Sequence, residues 1–129
     1  MAQKFEIQIL GCGSALPTRK HFPTCQVVNL RDKLLLIDCG EGAQLQWRYT
    51  GLNWQHINHI LLSHAHGDHV FGLPGLISTM GLLGRTQALF IHGPSNLQTF
   101  IEFMKAHFRR HRLRHPLQGR QYDTTRPHL

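Results

Sequence analysis

Acidic residues are scarce in this chain: Asp and Glu total 7 of 129 residues against 14 Lys and Arg, a formal charge of +7. The imbalance sits at one end. Residues 1–104 hold 7 Lys and Arg and 6 Asp and Glu, whereas residues 105–129 hold 7 and 1. A basic tail of this kind can track phosphates, and it can equally be a solvated end, because HFRRHRLRHPLQGRQYDTTRPHL has no sustained apolar period. Cysteine is also scarce. Cys12, Cys25 and Cys39 are an odd set without metal-type spacing, which argues against a disulfide framework and predicts free, buried thiols. No apolar run approaches the roughly 20 residues of a membrane span, and the first ten residues carry Lys4 and Glu6 with no signal-peptide core. The expectation is a cytoplasmic chain with no membrane partner.

Histidine is abundant, 11 in all, and it is concentrated where it matters. In HILLSHAHGDHVFGLPG, residues 59–75, three imidazoles and one carboxylate fall within six residues: His64, His66, Asp68 and His69. With 11 His and 4 Asp in 129 residues, an H-x-H-x-D-H match arises by accident in roughly two chains per thousand, so chance is a weak explanation. The preceding apolar residues Ile60, Leu61 and Leu62 read as a buried strand, which places metal-ligand chemistry on the loop at its end. In an extended segment residues i and i+2 point the same way, so His64 and His66 can serve one ion while Asp68 and His69 reach a second. Gly67 is expected to turn the backbone between the two pairs, since glycine takes either sign of φ. Two adjacent ions suit a site that grips a phosphate or carbonyl and activates water.

Periodicity supplies the scaffold. Residues 5–10 alternate Phe5, Ile7 and Ile9 with Glu6 and Gln8, the pattern of a half-buried strand. Residues 25–30 and 33–37 are leucine-rich and β-branched runs separated by Arg31-Asp32, which predicts an antiparallel hairpin. A short helix follows and ends at Gly51; residues 58–62 form the strand before the metal loop. A buried helix over 73–83 has Pro74 in its first turn, and a strand is expected over 88–92. A last helix is capped by Ser95 and turns Leu97, Phe100, Ile101 and Met104 inward. His92, before a Gly-Pro turn, reads as structural and not as a metal ligand.

SHAHGDH followed by VFGLPGL, with DCGEGAQLQ upstream and LGCGSALPT near the start, resembles the metallo-β-lactamase superfamily and, within it, the ribonuclease Z family of tRNA 3′-processing endonucleases. The resemblance runs from about residue 5 to about residue 108. It implies an α/β fold, the N-terminal half of an αββα sandwich over residues 1–108, with 109–129 as a basic tail. It further implies two zinc ions, one on His64 and His66 and one on Asp68 and His69. Asp68 is the proton acceptor, and Asp38 orients the metal loop by hydrogen bonds without binding metal. Arg19 and Lys20 become candidates for RNA contact beside the catalytic face, with precursor tRNA as substrate and a homo-oligomer as the working form. The family's remaining ligands lie in later motifs, for which this sequence shows no match, and nothing in the spacing of His107, His111, His115 and His128 makes them substitutes. A truncated, weakly active or inactive chain is therefore expected. Two other readings stay open: another hydrolase of the superfamily, acting on thioesters, lactams or other phosphodiesters, and a non-catalytic RNA-binding fragment.

Overall fold

In the computed structural model the described residues are 5–108 except Ala15, without the side chains of Lys105, His107 and Phe108. The basic tail lies outside them. Five strands form one sheet in the order β1-β2-β3-β4-β5: β1 Phe5–Gly11, β2 Cys25–Leu30, β3 Lys33–Ile37, β4 Ile57–Leu61 and β5 Phe90–His92. β1, β2 and β3 pair antiparallel, and β3, β4 and β5 pair parallel. Arg31 and Asp32 close the β2–β3 hairpin, both at positive φ (53° and 66°), the backbone of a two-residue primed turn. The buried Asn29 side chain supports that turn by accepting from the Asp32 N–H at 2.9 Å.

The parallel half requires crossovers, and these carry the first three helices, while the fourth follows β5. The helices are α1 Ala43–Trp47, α2 Gly67–Val70, α3 Leu73–Leu82 and α4 Gln98–Phe108, with 3-10 turns at Trp54–His56 and Ser95–Leu97. Their buried side chains, among them Trp47, Leu76, Met80, Ile101 and Met104, form one core with Val27, Leu36, Ile60 and Ile91 from a single face of the sheet. Ser95 does not cap α4. It opens a 3-10 turn after the extended Pro94, with no side-chain cap, because the chain leaving β5 tightens before the α-helix begins.

The opposite face of the sheet is open. The register aligns Phe5 with Leu30 and Ile7 with Val28, and that face leaves Phe5, Ile7 and Ile9 61%, 57% and 66% exposed. The alternation in β1 is therefore real, but its apolar side points away from the helices. In an αββα sandwich this is the face that meets a second sheet. We expect the 129-residue chain to self-associate through it. Sedimentation should show oligomers for the parent and a shift toward monomer for an Ile7→Lys, Ile9→Lys variant, and a well-dispersed parental monomer would refute this.

Candidate metal centre

The parallel strands β3, β4 and β5 end at one edge of the sheet, where open α/β sheets characteristically place their ligands. Backbone pairing carries the three chains past the strands together, with the Asp38 N–H donating to the Leu61 carbonyl and the Leu62 N–H to the His92 carbonyl, both at 2.7 Å. Asp38 follows β3 with φ 59°, a left-handed conformation that aspartate tolerates better than most residues. The turn brings its buried carboxylate under the loop 63–69.

That carboxylate is fully engaged. Oδ1 accepts from the Ser63 N–H at 2.8 Å, the Ser63 hydroxyl lies 3.0 and 2.9 Å from Oδ1 and Oδ2, and Oδ2 is 3.0 Å from His69 Nδ1. The expected orienting role of Asp38 thus has a concrete geometry, because it faces the ring nitrogen of a motif histidine directly. Sequence reasoning missed Ser63, whose hydroxyl also lies 3.1 Å from His64 Nδ1 and from His69 Nδ1. Ser63 opens the SHAHGDH string and adjoins His64, but its other partners, Asp38 and His69, lie 25 and 6 residues away, so only the fold shows what it joins.

The motif residues converge. His64 and His69 have ring centroids 4.9 Å apart, and His64 and His66 5.7 Å apart. His69 Nε2 lies 3.5 Å from Asp68 Oδ2, too long for a good hydrogen bond. Two donors held at about 2.0–2.1 Å by one tetrahedral ion sit about 3.4 Å apart, so this pair fits the coordination sphere of a zinc ion. Among the described residues, no group of three or more His, Cys, Asp and Glu side chains is placed to hold an ion. His111, His115 and His128, and the side chain of His107, lie outside what the structure describes.

Gly67 behaves differently from expectation. It does not take positive φ; it opens the helix α2, so that Asp68 and His69 sit on a helical turn while His66 remains extended. Its lack of a side chain matters for space, because a Cβ there would lie 2.4 Å from the Phe71 ring. The loop is pinned from below by Cys39, whose N–H donates to the His69 carbonyl at 2.8 Å and whose carbonyl accepts from the Gly72 N–H at 2.9 Å.

Arg19 and Lys20 stand exposed on a turn closed by Thr18 and His21, where the His21 N–H donates to Thr18 Oγ1 at 2.9 Å. The end of this loop packs on the aspartate loop: the Gly40 N–H donates to the Thr24 carbonyl at 3.1 Å, and a Cβ on Gly42 would strike the Phe22 ring. His92 stays apart from the motif, 3.1 Å from His59 in a stack that includes Phe90. Burial, then the neighbouring His59, lowers its pKa. A cavity of about 270 Å³ borders the site at Ser63, His92 and Gly93. A larger groove of about 490 Å³, lined by Trp47, Arg48 and Trp54, contains no motif residue and is not the site of this chemistry.

Arg85, in the loop after α3, is buried. It donates to the Gln87, Gln55 and Ala88 carbonyls and to Asn58 Oδ1, which ties the loop after α3 to β4. The thiols are free, as expected, but Cys12 is exposed because it lies in the loop after β1. Burial, with a smaller contribution from Asp38, pushes the Cys25 thiol up to about 12, and burial raises Cys39 as well. Both stay protonated near neutrality and are poor ligands and nucleophiles. In the native protein a thiol reagent should modify Cys12 alone, with all three reacting in denaturant; rapid native modification of two thiols would overturn this assignment.

The chain matches the family model described as Anti-Pycsar protein Apyc1 over residues 5–115. Ribonuclease Z of Bacteroides fragilis is 57% identical over 122 residues, covering 95% of this chain and 40% of the relative. The chain thus spans about 40% of the length of that relative. Human tRNase Z, short form, superposes with a TM-score of 0.71 at 36% identity, covering 78% of this chain and 38% of the other. The metallo-β-lactamase fold protein YhfI from Bacillus subtilis does so with a TM-score of 0.65 at 20% identity, over 77% of this chain and 41% of that one, and shows the fold alone. So does Zn(2+)-bound PqqB from Methylobacterium extorquens, with a TM-score of 0.55 at 14% identity over 77% and 40%; that neighbour binds zinc. This chain belongs to the family described as Anti-Pycsar protein Apyc1, has the metallo-β-lactamase fold, and groups with the ribonucleases Z.

Proposed function

We propose that this chain supplies the metal loop of a zinc-dependent endoribonuclease that removes 3′ trailers from precursor tRNA by phosphodiester hydrolysis. The observation that carries the reading is the motif edge itself, in a chain 57% identical to a ribonuclease Z over 95% of its length. His64 and His66 would hold one zinc, Asp68 and His69 the other. When bound, the ions supply Lewis acidity toward the phosphate and acidify water. Asp68 accepts the proton of the attacking water, a role that needs a carboxylate within hydrogen-bond reach of it. Asp38 holds His69 in place through the 3.0 Å contact, and Arg19 and Lys20 offer exposed charge to the RNA backbone. No helix among the described residues is long and apolar enough to cross a membrane, and the reading includes a homo-oligomeric cytoplasmic enzyme.

Two measurements test this. The 129-residue chain should retain zinc after gel filtration, more weakly than a complete two-metal site, and a His64→Ala, His66→Ala variant should retain less; equal zinc in both would remove the metal assignment. A chimera joining residues 1–108 to the remainder of the Bacteroides fragilis ribonuclease Z should cleave a 3′-extended tRNA in preference to a thioester or a lactam. Preference for either of those would move the chain to another hydrolase class.

A further inference from the structure

Ser63 sits where three polar side chains meet, and counting protons decides what each of them does. A carboxylate only accepts, so the single Ser63 hydroxyl proton, 3.0 and 2.9 Å from the two Asp38 oxygens, is donated to Asp38. His69 Nδ1, 3.0 Å from Asp38 Oδ2, must likewise be an N–H. His64 Nδ1 lies 3.1 Å from a serine oxygen whose only proton is already committed, so it too must donate. Both rings are then Nδ1–H tautomers, which leaves Nε2 as the unprotonated nitrogen of each, that of His69 facing Asp68 Oδ2 at 3.5 Å.

We propose that Ser63 is a positioning residue for the metal site: its hydroxyl relays the hydrogen-bond order set by Asp38 to His64, so that one buried carboxylate fixes the tautomers of a ligand on each ion. Asp38 reaches His69 directly and His64 only through Ser63. The consequence for zinc rests on the metal assignment proposed above; the tautomer order does not. Partners that orient a metal-binding histidine typically contribute 10–100-fold to metal affinity.

Nitrogen chemical shifts of the histidine rings, recorded on the metal-free 129-residue chain, report directly which ring nitrogen carries the proton. The parent should show protonated Nδ1 and bare Nε2 for both His64 and His69. In Ser63→Ala, His64 should lose this signature while His69 keeps it, and Ser63→Thr, which retains the hydroxyl, should restore it. Zinc competition should show affinity falling about 10–100-fold in Ser63→Ala and recovering in Ser63→Thr. An Nε2–H tautomer of His64 in the parent overturns the proposal without any variant, so a misfolded Ser63→Ala would not shield it. An unchanged His64 signature in a folded Ser63→Ala overturns it as well. If the tautomers follow the expected order while zinc binding is the same in the parent and the His64→Ala, His66→Ala variant, the relay stands and the metal assignment fails.

Discussion

Cleavage of a 3′-extended tRNA by the chimera of residues 1–108 with the Bacteroides fragilis enzyme is expected to fall on the order of a thousandfold or more on Asp68→Ala. Two losses combine. The substitution removes a carboxylate that pairs with His69 Nε2 across 3.5 Å, so the ion assigned to that pair keeps a single ligand from this loop. On the proposed function it also removes the group assigned to take the proton of the attacking water, a contribution of about 10²–10⁴ by itself. The 129-residue chain alone is expected to cleave very slowly or not at all. Its described residues include no group of three that could hold an ion, the proposed assignment leaves two ligands per ion, and misplacement by about 1 Å already costs on the order of a hundredfold. Single-turnover rates for the chain, the chimera and the chimera with Asp68→Ala make the comparison. A fully active Asp68→Ala would remove both roles given to that residue. A 129-residue chain as fast as the chimera would show that ligands outside the described residues complete the site.

Among Gly67, Gly72 and Gly75, Gly72→Ala should be the most destabilising methyl addition, by about 3 kcal/mol or more. Gly72 has ordinary helical φ and ψ (−80° and −14°), so conformation is not at issue. Space is. A Cβ would stand 2.1 Å from the Gly40 carbonyl oxygen and 3.0 Å from that of Cys39, and backbone atoms cannot rotate away as a side chain can. Relief requires parting the aspartate loop from the metal loop, which breaks the Gly72–Cys39 hydrogen bond and pulls Asp38 from His69. Gly75, one turn further along α3, has nothing within 4 Å of its would-be Cβ, and Gly75→Ala should be neutral or stabilising by up to about 1 kcal/mol. Urea unfolding of the two variants should shift the midpoint in opposite directions or leave Gly75→Ala unmoved. A Gly72→Ala midpoint close to the parent's would show that the two loops are not held against each other as described.

By itself the sequence determined whatever depends on near neighbours. The β2–β3 hairpin follows from two leucine-rich runs two residues apart, and its observed bounds, Cys25–Leu30 and Lys33–Ile37, are the expected ones. The helix over α3 and the inward stripe of Leu97, Ile101 and Met104 follow from side-chain period in the same way. The four motif residues stand out in the sequence because metal chemistry concentrates its ligands within a few positions. The tertiary structure decided what lies between distant segments. Alternation in β1 announces two faces, but which one meets helices depends on what packs there, and Phe5, Ile7 and Ile9 face outward. Gly72 carries no mark of the carbonyl that excludes a methyl from it, because Gly40 arrives from 32 residues away. The Asp38–Ser63–His69 network has the same origin: three short side chains from two loops become partners only after parallel pairing of β3 and β4 has brought the strand ends together, since a hydrogen bond exists only at contact.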